Sequence, residues 1–167
     1  IANLETLGVK ILSKNEPLYP TGLMRYTEKD LYMLGDGSSD FDISVISSTK
    51  PSEQEKEIVM KLVDYCQIKG LSILFGGSAF DKKMAFISMR KGISTGVFLP
   101  SGIFNSAEKM RTKGTSGDIS IFSIGDPFKS FDREEYMPSV LSRMFIGKSV
   151  LFTTSKLSWI NKQNNTL

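Results

Sequence analysis

Small polar residues and glycines follow three of the strands that the sequence predicts, and this combination could bind an anion. Ser47-Ser48-Thr49-Lys50 lies between an apolar run and the start of a helix, Gly76-Gly77-Ser78 follows the next run, and Ser101-Gly102 follows the third. Glycine lets the backbone approach a ligand closely, and the free N–H groups at a helix N-terminus suit a phosphate. The competing interpretation of the first segment is a polar loop with a helix cap.

Basic residues near the same strand ends add positive charge. Lys82 and Lys83 fall in the first turn of a predicted helix, where they oppose the helix dipole unless an anion binds across that turn. Surface lysines placed by chance are the alternative. Arg143 and Lys148 lie shortly before the last predicted strand, and only Arg143 offers a bidentate contact to phosphate. We expect these basic groups to converge on one edge of a parallel sheet.

Catalytic and metal-binding residues are scarce. The chain has no histidine, which excludes Ser–His and Cys–His catalysis and most zinc sites. Its one cysteine, Cys66, falls on the apolar stripe of a predicted helix, so we expect it to pack in the core. The carboxylates show no paired arrangement, and no P-loop, EF-hand or metal-ligand spacing is present. We predict no catalytic residue, no metal and no cofactor.

The elements that would position these residues alternate between strand and helix. Ser52 and Glu55 form a capping box at the start of the first long helix, which Gly70 ends. Connections too long for hairpins favour an α/β, Rossmann-like fold, with a mostly parallel sheet flanked by helices on both faces. The predicted strands are 43–46, 71–75, 95–99, 119–124 and 150–153, and the predicted helices between them are 53–69, 79–90, 104–111 and 134–146.

Length and charge limit the class of protein. Among the 167 residues, we expect 1–40 to form an N-terminal extension that packs on a core domain of 41–167. The net charge of +3 weakly favours anionic partners. No apolar run is long enough to cross a bilayer, and a lone thiol fits a reducing compartment, so we predict a cytoplasmic location.

Five parts of the chain, in order, resemble the DNA-processing protein A (DprA/Smf) family of the Rossmann-like nucleotide-binding superfamily. The lead-in at 7–35 ends in a short strand and a glycine, and 43–49 stands where the family has a strand followed by Gly-Ser-Arg. Residues 75–81 resemble its Ser-Gly-x-Ala-x-Gly-Ile-Asp turn with one residue fewer. Residues 97–103 are similar to its next glycine turn, and 142–149 to its Asn-Arg-Ile-Ile-Ala-Gly-Leu-Ser segment.

This resemblance implies a protein that binds single-stranded DNA along a basic crevice without catalysis. It also implies handover of the strand to a RecA-type recombinase, a role in recombination and transformation, and a homodimer as the working unit. The candidate contacts are Ser47, Ser48, Lys50, Gly76, Gly77, Ser78, Lys82, Lys83, Ser101, Gly102, Arg143 and Lys148.

Departures from the family pattern indicate a shortened or divergent member. The Gly-Ser-Arg loop has become Ser47-Ser48-Thr49, and Ser78 stands where the family usually has a basic residue. Of the two arginines in the family's Arg-Asn-Arg motif, only one is present here, as Arg143. Two other functions stay open: a small-nucleotide sensor or hydrolase that uses the same crevice, and an interaction scaffold with a vestigial crevice.

Overall fold

The structure is a computed structural model, and it describes most of the sheet and the helices that flank it. The described residues are 8–27, 29–35, 40–47, 50–100, 103, 119–124 and 133–153, with the backbone alone for 133–137. The strands are β1 (Val9–Leu12), β2 (Leu31–Leu34), β3 (Phe41–Ile46), β4 (Ile73–Phe75), β5 (Thr95–Phe98), β6 (Ile119–Ile124) and β7 (Gly147–Phe152). The helices are α1 (Glu53–Lys69), α2 (Ala79–Arg90) and α3 (Arg133–Ile146), with a 3-10 turn at Leu23–Arg25.

The seven strands form one sheet in the order β1-β2-β6-β5-β4-β3-β7. Strands β3 to β7 pair with one another in parallel, whereas β1 and β2 extend the sheet beyond β6 in antiparallel pairs. The chain leaves β3 toward β4 and later returns to pair β7 on the other side of β3. This reversal is the doubly wound arrangement, and it confirms the predicted mostly parallel, Rossmann-like fold.

Alternating side chains of the strands meet different helices, so both faces of the sheet are covered. In β4, Ile73 and Phe75 join the cluster that contains residues of α1 and α2, while Leu74 joins the cluster on the other face. Helix α3 packs on that second face, where Val140 and Met144 contact Ile46. Burial on both faces explains why β4, β5 and β6 are continuous apolar or small-residue runs with no exposed position.

Local signals set the ends of α1 as the sequence predicts. Ser52 and Glu55 make the reciprocal capping box, and Gly70 ends the helix in the left-handed region, at φ 68°. Cys66 is fully buried, and burial together with the nearby Asp42 charge raises the pKa of its thiol to about 11. The expectation that this cysteine packs in the core is confirmed.

Strands β1 and β2 extend the sheet beyond β6, with Leu31 opposite Ile124 and Val9 opposite Leu34. The division of the chain at residue 40 stays a prediction. The predicted helix at 104–111 lies outside the described residues.

The last strand begins earlier than predicted. Helix α3 ends at Ile146 and β7 begins at Gly147, without a connecting loop. A Cβ atom at Gly147 would lie 2.6 Å from the Ser44 hydroxyl oxygen and 2.9 Å from the Ser44 backbone nitrogen in β3. Glycine therefore lets the chain pass from helix to strand against β3.

We expect Gly147→Ala to lower the free energy of unfolding by about 1–3 kcal/mol, because the added methyl group must push against backbone atoms of β3. Urea unfolding measures this change. Ser149→Ala, at an exposed position of the same strand, is the matched control and should change little. Equal effects of the two substitutions would contradict the close approach at Gly147.

Candidate functional site

The carboxyl ends of β3 and β4 hold a buried polar cluster. Ser47 follows β3, Gly76 follows β4, Asp81 lies in the first turn of α2, and Arg143 lies in the last turn of α3. All of these residues are buried. The cluster therefore joins the two helical layers at the edge of the sheet where the sequence predicts a ligand.

An ion pair lies at the centre of this cluster. Arg143 Nη1 is 3.8 Å from Asp81 Oδ2, and each side chain is only 6% exposed. The Arg143 carbonyl accepts a hydrogen bond from the Ser44 hydroxyl (2.6 Å), within β3. Side chains of a helix lean toward its N-terminus. The guanidinium of Arg143 therefore extends from the last turn of α3 toward the carboxyl edge of the sheet.

Hydroxyl groups complete the surroundings of Asp81. The Ser47 hydroxyl donates to Asp81 Oδ1 (3.3 Å), and the Ser78 hydroxyl accepts from the Asp81 backbone N–H (3.1 Å) as the N-cap of α2. Burial raises the pKa of the Asp81 carboxyl above its ordinary value, although Arg143 and hydrogen bonds from Ser78 and Ser47 act in the opposite direction. Desolvation of the carboxylate therefore outweighs its attraction to Arg143.

Gly76 and Gly77 admit protein atoms at this edge. A Cβ atom at Gly76 would collide with the guanidinium of Arg143, and one at Gly77 would lie 2.5 Å from Pro100 Cδ. The sequence suggests that these glycines open the backbone to a ligand. In the structure, the space above Gly76 holds the Arg143–Asp81 pair.

The lysines divide between the two edges of the sheet. Lys82 and Lys83 are exposed in the first turn of α2, and Lys50 is exposed before α1, so these three lie at or near the carboxyl edge. Lys148 is near the start of β7, with its ammonium 3.9 Å from the Asp42 carboxylate near the start of β3. Its predicted convergence with the others is wrong, because β7 begins at Gly147 and places Lys148 at the amino edge.

Three candidate contacts lie outside the described residues: Ser48, Ser101 and Gly102. In the part of the chain that the structure describes, no three His, Cys, Asp or Glu side chains gather in a way that could hold a metal ion. No helix there is both long and apolar enough to cross a bilayer.

A groove between α1 and α2 was not predicted from the sequence. Its volume is about 600 Å³, and it opens beside the basic carboxyl edge. The lining includes Lys56 and Met60 from α1, and Phe80 and Ile87 from α2. The sequence spacing shows that the two residues of each pair share one face of their helix. It does not show that the two faces meet, because this depends on how the helices pack.

The fold is similar to that of solved structures of DNA processing protein A (DprA). The chain is similar to the X-ray structure of DprA from Streptococcus pneumoniae, with 17% identity and a TM-score of 0.73, over 94% of this chain and 59% of that one. It is also similar to a DprA structure from Helicobacter pylori, described for its single-stranded DNA binding mode, with 15% identity and a TM-score of 0.65 over 86% and 68% of the two chains. No protein-family model and no curated protein sequence matches.

We expect Arg143→Met to lower the free energy of unfolding by about 3 kcal/mol at neutral pH, because it leaves the buried Asp81 carboxylate without its counter-charge. Adding Asp81→Asn to this variant should restore most of the loss. Urea unfolding of both variants measures the effect.

The pH dependence has a defined sign. A carboxyl group whose pKa is raised in the folded protein stabilises it more as pH falls toward the ordinary Asp value, and this contribution is lost as pH rises through the raised pKa. The deficit of Arg143→Met should therefore shrink on acidification, and Asp81→Asn should remove this dependence. A deficit that is constant with pH would contradict the role of the carboxylate.

Proposed function

We propose that this chain binds single-stranded DNA, without catalysis, at the basic carboxyl edge of its sheet. The observation that carries the proposal is the group of three exposed lysines, Lys50, Lys82 and Lys83, beside the N-termini of α1 and α2. Likeness in fold to two DprA structures, one of which is described for its single-stranded DNA binding mode, supports the same ligand.

Lysine ammonium groups would supply most of the attraction for phosphate. Ser52 and Ser78 already cap the two helix N-termini and occupy backbone N–H groups there. Arg143 is 5% exposed and paired with Asp81, so it would act by positioning the first turn of α2. Flexible point charges contact phosphates without reading bases, so binding would be strongly dependent on salt and tolerant of sequence.

The remaining candidate contacts would shape this edge. Ser47, Gly76 and Ser78 contact the residues of the ion pair, and Gly77 lies against Pro100. Ser48, Ser101 and Gly102 belong to the proposed contact surface by their place in the sequence. Lys148 would contribute only to the overall positive charge.

The wider role rests on the resemblance to DprA. We include in the proposal a homodimer, a cytoplasmic location, and handover of the bound strand to a RecA-type recombinase during recombination or transformation. The chain spans 59% of the length of the S. pneumoniae structure. These properties are therefore proposed for this chain by analogy with a longer protein.

We expect a labelled oligothymidylate to bind with an affinity that falls as salt rises, with a log–log slope of about −0.7 for each phosphate neutralised. Lys82→Glu should weaken binding about tenfold at low salt and make the slope less negative by about 0.7. Fluorescence anisotropy measures both quantities.

Two variants with the same change in charge are the controls. Lys69→Glu at the end of α1 and Lys148→Glu near the start of β7 are both distant from the carboxyl edge, and each should reduce affinity less than about threefold. Equal losses for all three variants would refute the proposed location. Binding that ignores salt would refute the DNA assignment, and thermal stabilisation by mononucleotides without oligonucleotide binding would favour a small-nucleotide sensor.

A further inference from the structure

The open groove between α1 and α2 combines an apolar floor with a basic rim. Met60 of α1 is 38% exposed, and it faces Phe80 and Ile87 of α2 across the groove, with Met84 buried beneath. The volume of about 600 Å³ falls within the range of sites that enclose several apolar groups. Exposed apolar surface of this kind is unfavourable in water and marks an interaction site when polar residues surround it.

The charge around the groove has one dominant sign. Lys50, Lys56 and Lys83 line it, and the described residues of the lining include no carboxylate. Lys56 makes an exposed ion pair with Glu53 (3.3 Å), which offsets one positive charge, and Lys50 and Lys83 keep the rim positive. The occupant that complements this surface therefore carries negative charge beside apolar side chains.

The chemistry of the floor distinguishes between two anionic occupants. Single-stranded nucleic acid binds by stacking its bases on flat aromatic rings, and Phe80 is the one aromatic ring in the described lining. Met60, Met84 and Ile87 instead present flexible aliphatic surface, which adapts to the leucine, isoleucine and methionine side chains of a protein partner. Two helices that flank a groove are also a common receptor for a third helix.

We propose that this groove binds an acidic amphipathic helix of a partner protein. Apolar side chains spaced at i, i+3 or i+4, and i+7 would lie on Met60, Phe80 and Ile87. Carboxylates beside that stripe would pair with Lys50, Lys56 and Lys83. Because Lys50 and Lys83 also belong to the proposed DNA edge, the helix and the DNA compete for these lysines, and partner binding favours release of the strand.

The test uses the full chain and synthetic peptides of about 18 residues, long enough for five helical turns. The panel carries leucine, phenylalanine or methionine at the stripe positions and glutamate beside them. Controls are a scrambled peptide of the same composition and a peptide with each glutamate replaced by glutamine. With methyl-labelled methionine, we expect the NMR signals of Met60 and Met84 to shift on addition of the acidic helix, while exposed Met24 in the 3-10 turn stays unchanged.

Substitution at the floor separates this site from the DNA edge. Met60→Gln should weaken peptide binding about tenfold, because it removes an apolar contact at the floor without changing the charge beside Lys50 and Lys83. Ile68→Gln is the control, since Ile68 is 79% exposed in the same helix and does not line the groove. Both variants should retain the salt-dependent affinity for oligothymidylate, so loss of one function is distinguishable from loss of the other.

Three results would overturn the proposal. The first is no shift of the Met60 signal with any panel peptide up to about 1 mM, the limit of weak specific binding. The second is equal binding of the scrambled peptide. The third is a shift of Met60 with oligothymidylate and none with the peptides, which would make the groove part of the DNA site.

Discussion

The buried ion pair between Asp81 and Arg143 is the interaction on which the carboxyl edge depends. It joins α2 on one face of the sheet to α3 on the other, and Gly76 supplies the space that the guanidinium fills. Burial raises the pKa of Asp81, so the charged pair is kept at some expense of stability. Its contribution is geometric: with the hydrogen bond from Ser47, it holds the ends of β3 and β4 and the start of α2 in one arrangement.

The sequence predicts the fold well where local physics decides it. Strands buried on both faces are continuous apolar runs. Ser52 and Glu55 determine the start of α1, and Gly70 determines its end. Lys148 was assigned to the wrong edge because it lies near the start of β7, and parallel strands start at the edge opposite the one where they end. The sequence correctly ends the helix at Ile146 but starts the last strand at residue 150, whereas the strand begins at Gly147. A boundary of this kind depends on how closely the backbone can approach Ser44, which no pattern in the sequence reports.

The candidate site was predicted only in part, for a similar reason. Lys82 and Lys83 follow the predicted strand end and are exposed there. The partner of Arg143 is far away in the sequence, so no spacing could reveal that this cation is buried against Asp81. The groove has the same origin: Met60 and Ile87 each have a clear place on a helix, but their proximity follows from packing. A DprA-like fold fixes the scaffold, and the chemistry of the edge belongs to this chain's own side chains.

The direct passage from α3 into β7 links strand pairing to the electrostatics of the opposite edge. With no loop to absorb movement, the register of β7 against β3, in which Gly147 lies beside Phe41, determines how far Arg143 reaches. A slip of one residue would move the backbone of Arg143 by about 3.3 Å, and its guanidinium would lose contact with Asp81. The pairing of the outer strand therefore sets the position of a charge at the opposite edge, and a change in that pairing would move Arg143 relative to Asp81 without any contact at that edge.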